Sequence, residues 1–134
     1  MFVDASALVA ILCAEPGYLP LADRLRSAKE PITSAFAVFE TVMALCRKRG
    51  YTVEDGEAET RQFLAAANVV CVPIAGDEAR IALVAHARYG KGRGHPAQLN
   101  IGDCFAYACA KVNGVPLLFV GNDFPQTDIP SALA

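Results

Sequence analysis

This 134-residue chain predicts an α/β domain with a mostly parallel central sheet flanked by helices, on three observations. Short apolar runs at Met1–Val3, Pro31–Thr33, Val69–Pro73 and Val115–Val120 alternate with helical patterns of crossover length. Acids stand just past the ends of two runs, Asp4 and Asp123, where the carboxyl rim of an open parallel sheet gathers ligands. The composition, 54% hydrophobic, describes one core, so residues 1–134 are read as one domain.

In chain order, Met1-Phe2-Val3 is a buried strand, and Ala5 to Ala14 follows as a helix with Leu8, Val9, Ile11 and Leu12 inward. Either Asp4 or Ser6 can cap that helix; a Ser6 cap leaves Asp4 free for other work. The breakers Glu15-Pro16-Gly17-Tyr18-Leu19-Pro20 precede a second helix, Leu21 to Ala28, with Arg24, Arg26 and Lys29 facing solvent. Pro31-Ile32-Thr33 is a brief strand. Ser34 then caps a helix to about Arg49, ended by Gly50, whose basic tail Arg47-Lys48-Arg49 complements the dipole and can touch phosphate. Phe36, Phe39, Met43 and Ala44 recur around Glu40, setting it on or beside the apolar stripe. An unpaired carboxylate there costs several kcal/mol, so a cation or donor is expected beside it, an Arg being the plain alternative.

Val53 to Ala67 is a helix with an acidic first turn and Phe63 and Leu64 inward, and Val69-Val70-Cys71-Val72-Pro73 reads as a buried parallel strand. Asp77 caps a helix to about Tyr89 with Ile81, Val84 and Ala85 inward and His86 near the edge. Gly90-Lys91-Gly92-Arg93-Gly94-His95-Pro96 is a glycine-rich basic loop, either a substrate-facing lid or a solvated linker; it lacks P-loop spacing. Asn100 caps the next helix and sets Asp103 against its positive end, a geometry that favours an ionised carboxylate; Gly114 closes it. Val115 to Val120 is the last buried strand, ending in Gly121-Asn122-Asp123-Phe124. The tail with Asp128 can add an edge strand.

Composition narrows the function classes. A net charge of −2 argues against a generally basic nucleic-acid coat, and no apolar run approaches the roughly 20 residues that cross a bilayer. The first residues lack signal-peptide character, so the expected location is the cytoplasm. Five cysteines without a C-x-x-C pair read as buried thiols, and His86 and His95 lack zinc-ligand spacing. What stands out is four acids, Asp4, Glu40, Asp103 and Asp123, that an α/β topology directs to one rim. Like charges there repel, and a hard divalent cation relieves them. Oxygen ligands favour Mg²⁺ or Mn²⁺ over Zn²⁺, and such a site supports metal-assisted phosphodiester hydrolysis.

Four short motifs carry a resemblance over nearly the whole chain: Phe2-Val3-Asp4-Ala5-Ser6-Ala7-Leu8; Phe39-Glu40 with its helix; His95 to Ala108; and Leu118-Phe119-Val120-Gly121-Asn122-Asp123-Phe124. In this order the chain resembles PIN-domain ribonucleases, specifically VapC-type toxins of bacterial toxin-antitoxin pairs. The resemblance implies Asp4, Glu40, Asp103 and Asp123 as catalytic, metal-binding acids, with Ser6 and Asn122 supporting them. It also implies Mg²⁺ or Mn²⁺ as cofactor, RNA as substrate, a homodimer, and inhibition by a VapB-like antitoxin. It leaves open the RNA target, one or two ions, and roles for Lys91, Arg93 and Asp128. Two rival readings are a haloacid-dehalogenase-like phosphotransferase with Asp4 as nucleophile and an inert interaction module whose acids are caps and ion pairs. The first wants a second Asp where this chain has Ser6.

Overall fold

The computed structural model describes residues 1–134. Its sheet is four parallel strands, β1 (Phe2–Val3), β2 (Ile32–Ser34), β3 (Val70–Val72) and β4 (Leu117–Leu118), in the order β3-β2-β1-β4. The helices are α1 (Ala5–Leu12), α2 (Tyr18–Arg26), α3 (Ala35–Arg49), α4 (Val53–Ala66), α5 (Gly76–Tyr89) and α6 (Ile101–Asn113), with a 3₁₀ turn at Phe124–Gln126. Strand alternation divides the core between two faces. Phe2 and Leu117 meet α5 and α6 through Ala85, Tyr89 and Tyr107, while Val3 and Leu118 meet α1, α2 and α4 through Leu8, Leu21, Leu25 and Leu64. After β3, the chain crosses from one sheet edge to the far side of β1, so the strand order reverses between β1 and β4. That reversal point is where a parallel sheet opens a ligand crevice.

Helix boundaries follow local chemistry. Ser34 accepts the Ala37 N–H at 3.1 Å, and Gly50 ends α3 in the left-handed conformation at φ 68°, open to glycine without a side-chain clash. Asn100 and Asp103 form a reciprocal capping box on α6: the Asp103 N–H donates to Asn100 Oδ1 at 2.8 Å, and the Asn100 N–H to Asp103 Oδ2 at 3.0 Å. No helix is long and apolar enough to cross a membrane.

Several expectations are corrected. α2 begins at Tyr18, because Pro20 falls in the first turn, where a missing N–H costs no helical bond. Its Arg24 donates from Nε to the Ala132 carbonyl at 2.8 Å and holds down the C-terminal tail. Asp77 does not cap α5; Glu78 reaches back to the Ala75 N–H at 3.1 Å, and the inward face is Glu78, Ala82, Ala85 and Tyr89, with Val84 outside. The Val69–Pro73 run forms an edge strand with Val70 61% exposed and Cys71 exposed, so its thiol is not buried. Only Leu117 and Leu118 of the last run join the ladder, and the tail adds a single parallel bridge at Ser131.

The glycine-rich loop is pinned at its neck. The Lys91 N–H donates to the Leu99 carbonyl and the Leu99 N–H to the Tyr89 carbonyl, both at 2.9 Å. Lys91 lines an apolar cavity of about 590 Å³ with Leu83, His86 and Phe105, on the other side of the mouth of α6 at Asn100 and Ile101.

Candidate active site

Four chain segments deliver the acids to the crevice beyond β1 and β4. β1 ends at Asp4, which is 4% exposed, and its own N–H donates to the Leu118 carbonyl at 3.0 Å. The cap of α1 is Asp4 rather than Ser6: its Oδ2 accepts the Ser6 N–H at 3.1 Å and a short bond from the Ser6 hydroxyl. Ser6 Oγ in turn accepts the Val120 N–H at 3.0 Å. Ser6 therefore ties the mouth of α1 to the segment after β4 and orients Asp4 between them. Capping does not remove Asp4 from the site; the same carboxylate serves the helix and faces the other acids.

Glu40 projects from α3 into this space, and none of the chain's ion pairs involves Asp4, Glu40, Asp103 or Asp123. The Arg partner considered for Glu40 is absent. Burial, with Asp4 and Asp103 adding repulsion, pushes Glu40 up to about 7. Asp103 rises to about 6 through burial and the charges of Asp4 and Asp123, against the opposing Asn100 N–H bond. The helix-mouth geometry expected to keep Asp103 readily ionised is thus outweighed by burial, with the charges of Asp4 and Asp123 adding to it. Burial likewise raises Asp4, while the Ser6 bonds pull it the other way. Asp123, exposed at the start of the 3₁₀ turn, couples to the group through Asp103; Asn122 is exposed and makes no side-chain hydrogen bond.

The donors are oxygens, strained electrostatically and without a protein cation, which is the chemistry that suits a hard divalent ion. As the side chains stand, no three of them are gathered into a group that holds such an ion. Glu40 accepts no hydrogen bond from the chain. Its carboxylate lies on the first turn of α6 at Gly102. A Cβ at residue 102 would stand 2.6 Å from Glu40 Cδ and 2.7 Å from Oε1, with Oε2 closer still. Sequence reasoning misses Gly102; the available signal is a glycine inside a helix's first turn, where alanine is favoured.

Beside the acids runs an open cavity of about 670 Å³, walled by Phe36, Phe39 and Met43 and reaching Arg47 and Lys48. The apolar stripe around Glu40 is thus a cavity wall: Phe39 is 64% exposed, and the core face of α3 is Ala37, Thr41, Val42, Ala44 and Leu45. Lys48 pairs with Glu15 at 2.8 Å, while Arg47 has no acidic partner. The same cavity wall therefore carries Glu40, the exposed Phe39 ring and, about two turns further along α3, Arg47.

Comparisons with known proteins agree with this architecture. The family model described as PIN domain matches residues 1–130. A VapC ribonuclease of Rhizobium meliloti is 45% identical over 139 residues, covering 96% of this chain and 98% of its own. A ribonuclease VapC of Mycolicibacterium smegmatis is 43% identical over 129 residues, with coverages of 96% and 97%. Among solved structures, Mycobacterium tuberculosis VapC20, described as a Sarcin-Ricin loop cleaving toxin, aligns with a TM-score of 0.75 over 96% of this chain and 95% of its own. At 18% identity, that likeness concerns the fold.

Proposed function

The chain belongs to the PIN-domain family and, within it, to the VapC ribonucleases, and from that premise we propose that it is a Mg²⁺- or Mn²⁺-dependent endoribonuclease toxin. One observation carries the reading: Asp4, Glu40 and Asp103 sit within electrostatic reach at the strand-order reversal with no protein cation to neutralise them. In this reading Asp4, Glu40, Asp103 and Asp123 hold the metal. When bound, the ion supplies Lewis-acid stabilisation of charge on the phosphodiester oxygens.

The chain's own residues supply the rest. Ser6 and the Leu118 carbonyl fix Asp4, and the Asn100 N–H fixes one oxygen of Asp103, leaving the other without a hydrogen bond from the chain. Asn122, exposed beside Asp123 after β4, makes no side-chain hydrogen bond to it, so its supporting role in this reading would be exerted only with the metal or RNA bound. Arg47 offers a partner for a backbone phosphate displaced along the cavity, and Phe39 offers a face on which an unpaired base stacks. The substrate class in this reading is single-stranded or looped RNA, since A-form duplex hides its base faces. A VapB-like antitoxin as inhibitor, a homodimer and a cytoplasmic location belong to the same proposal; the VapC relatives support its ribonuclease part.

The rival readings fit less well. Position 6 holds a serine committed to Asp4 and Val120, where the phosphotransferase pattern wants an acid. An inert module accounts for Asp4 and Asp103 as caps, but not for Glu40, which caps nothing and pairs with nothing. The test is RNA cleavage with and without Mg²⁺ or Mn²⁺ by the native chain, Asp4→Ala and Asp103→Asn. Metal-dependent cleavage lost in both variants is expected; equal activity in all three overturns the carboxylate mechanism.

A further inference from the structure

Three kinds of glycine occupy crowded positions here. At Gly90 a Cβ would meet the His86 ring at Nδ1, 2.4 Å away, and also the His86 carbonyl oxygen at 2.5 Å, a backbone obstacle that cannot swing aside. At Gly56 it would meet Val42 Cγ1 at 3.3 Å, a packing contact. At Gly102 the three nearest atoms all belong to one group, the free end of the Glu40 side chain. Gly102 is also outside the set of glycines with positive φ, so its backbone is one that any residue adopts. Within a helix's first turn a glycine is less favourable than alanine. Neither backbone geometry nor helix propensity accounts for a glycine there, whereas the seat of the Glu40 carboxylate does.

We propose that Gly102 is a positioning residue for Glu40: by lacking a side chain it lets the Glu40 carboxylate rest on the first turn of α6, within reach of Asp103. The inference rests on the metal-site reading above and adds to it a residue that touches neither metal nor substrate. Because the obstructed atoms lie at the end of a flexible side chain, alanine at 102 is accommodated by displacing Glu40 rather than by moving α6. The fold survives and the acid is evicted. That separates Gly102 from a packing glycine, whose replacement disturbs the helix itself.

The experiment is a double-mutant cycle of native, G102A, E40A and G102A/E40A, read by Mn²⁺ titration of the metal-free proteins, by thermal melting and by RNA cleavage. G102A is expected to keep or raise the Tm while weakening Mn²⁺ binding by about 10- to 100-fold, the range seen when a ligand's support is lost. In the E40A background the same substitution is expected to change Mn²⁺ affinity by less than about twofold, since nothing remains to displace. Native affinity and rate in G102A overturn the proposal, as does an equal loss of affinity or Tm in both backgrounds, which assigns Gly102 to the packing of α6. A native chain that neither binds Mn²⁺ nor cleaves RNA removes the nuclease reading and this inference together. One that does both while G102A matches it removes this inference alone.

Discussion

Replacing Glu40 by glutamine is expected to stabilise the metal-free protein at alkaline pH while abolishing its cleavage activity. Glu40 moves from the ordinary 4.5 to about 7 in the fold. Between those values the folded chain holds a proton that the unfolded chain has released, so stability falls as pH rises through the window and the penalty is complete above about 7. At 1.36 kcal/mol per pH unit the span corresponds to roughly 3 kcal/mol. Glu40 is only half-buried, and solvent screening brings the useful figure to about 1 kcal/mol. An unfolding entropy of about 2.1 cal/mol/K per residue converts this to a rise in Tm of roughly 4 °C for a chain of this length. Differential scanning calorimetry in EDTA at pH 8 and pH 4.5 measures it: a gain of about that size at pH 8 and a change within about 1 °C at pH 4.5. Added Mn²⁺ is expected to reverse the ranking by stabilising the native chain more than Glu40→Gln. A variant less stable than native at pH 8, or equally shifted at both pH values, refutes the repulsion argument.

Two further outcomes follow from the same geometry. Phe39→Ala removes an exposed ring from the cavity wall, and is expected to raise KM for RNA by about tenfold, the low end of a lost base stack, with Tm unchanged. Asp128→Ala removes the acceptor shared by the Tyr107 hydroxyl at 2.6 Å and Lys111 Nζ at 3.0 Å, and is expected to cost about 1 kcal/mol in urea unfolding at pH 7. Those two donors hold Asp128 below the ordinary carboxylate range, so the difference between native and variant is present at neutral pH and fades as pH falls through that lowered value.

The legible parts of this chain are those decided by a residue and its near neighbours. Ser34 and Asn100 cap where a short polar side chain precedes an apolar period, and Gly50 and Gly114 end helices where a left-handed residue is needed. Asp4 and Asp103 were placed correctly because a strand end and a helix start are local events. What escaped is what covers each apolar surface. Val70 and Phe39 read as buried from periodicity, yet the edge of a sheet and the wall of a cavity have the same period as a core. The raised Asp103 is illegible for a similar reason: its helix dipole is local, whereas its burial, and after that its repulsion by Asp4 and Asp123, arise across the chain. Gly102 was illegible without knowing that α3 aims Glu40 at it.

The pairing of β1 with β4 also has a bearing on the protein's own manufacture. Asp4 is synthesised well before the groups that fix it and Ser6, the carbonyl of Leu118 and the amide of Val120. At about 5–20 residues per second, a growing chain spends roughly 6–23 seconds between making Asp4 and making the strand that seats it. For that interval Asp4 lacks its carbonyl acceptor and Ser6 its amide donor, so the seating of the first acid waits on the docking of β4 beside β1.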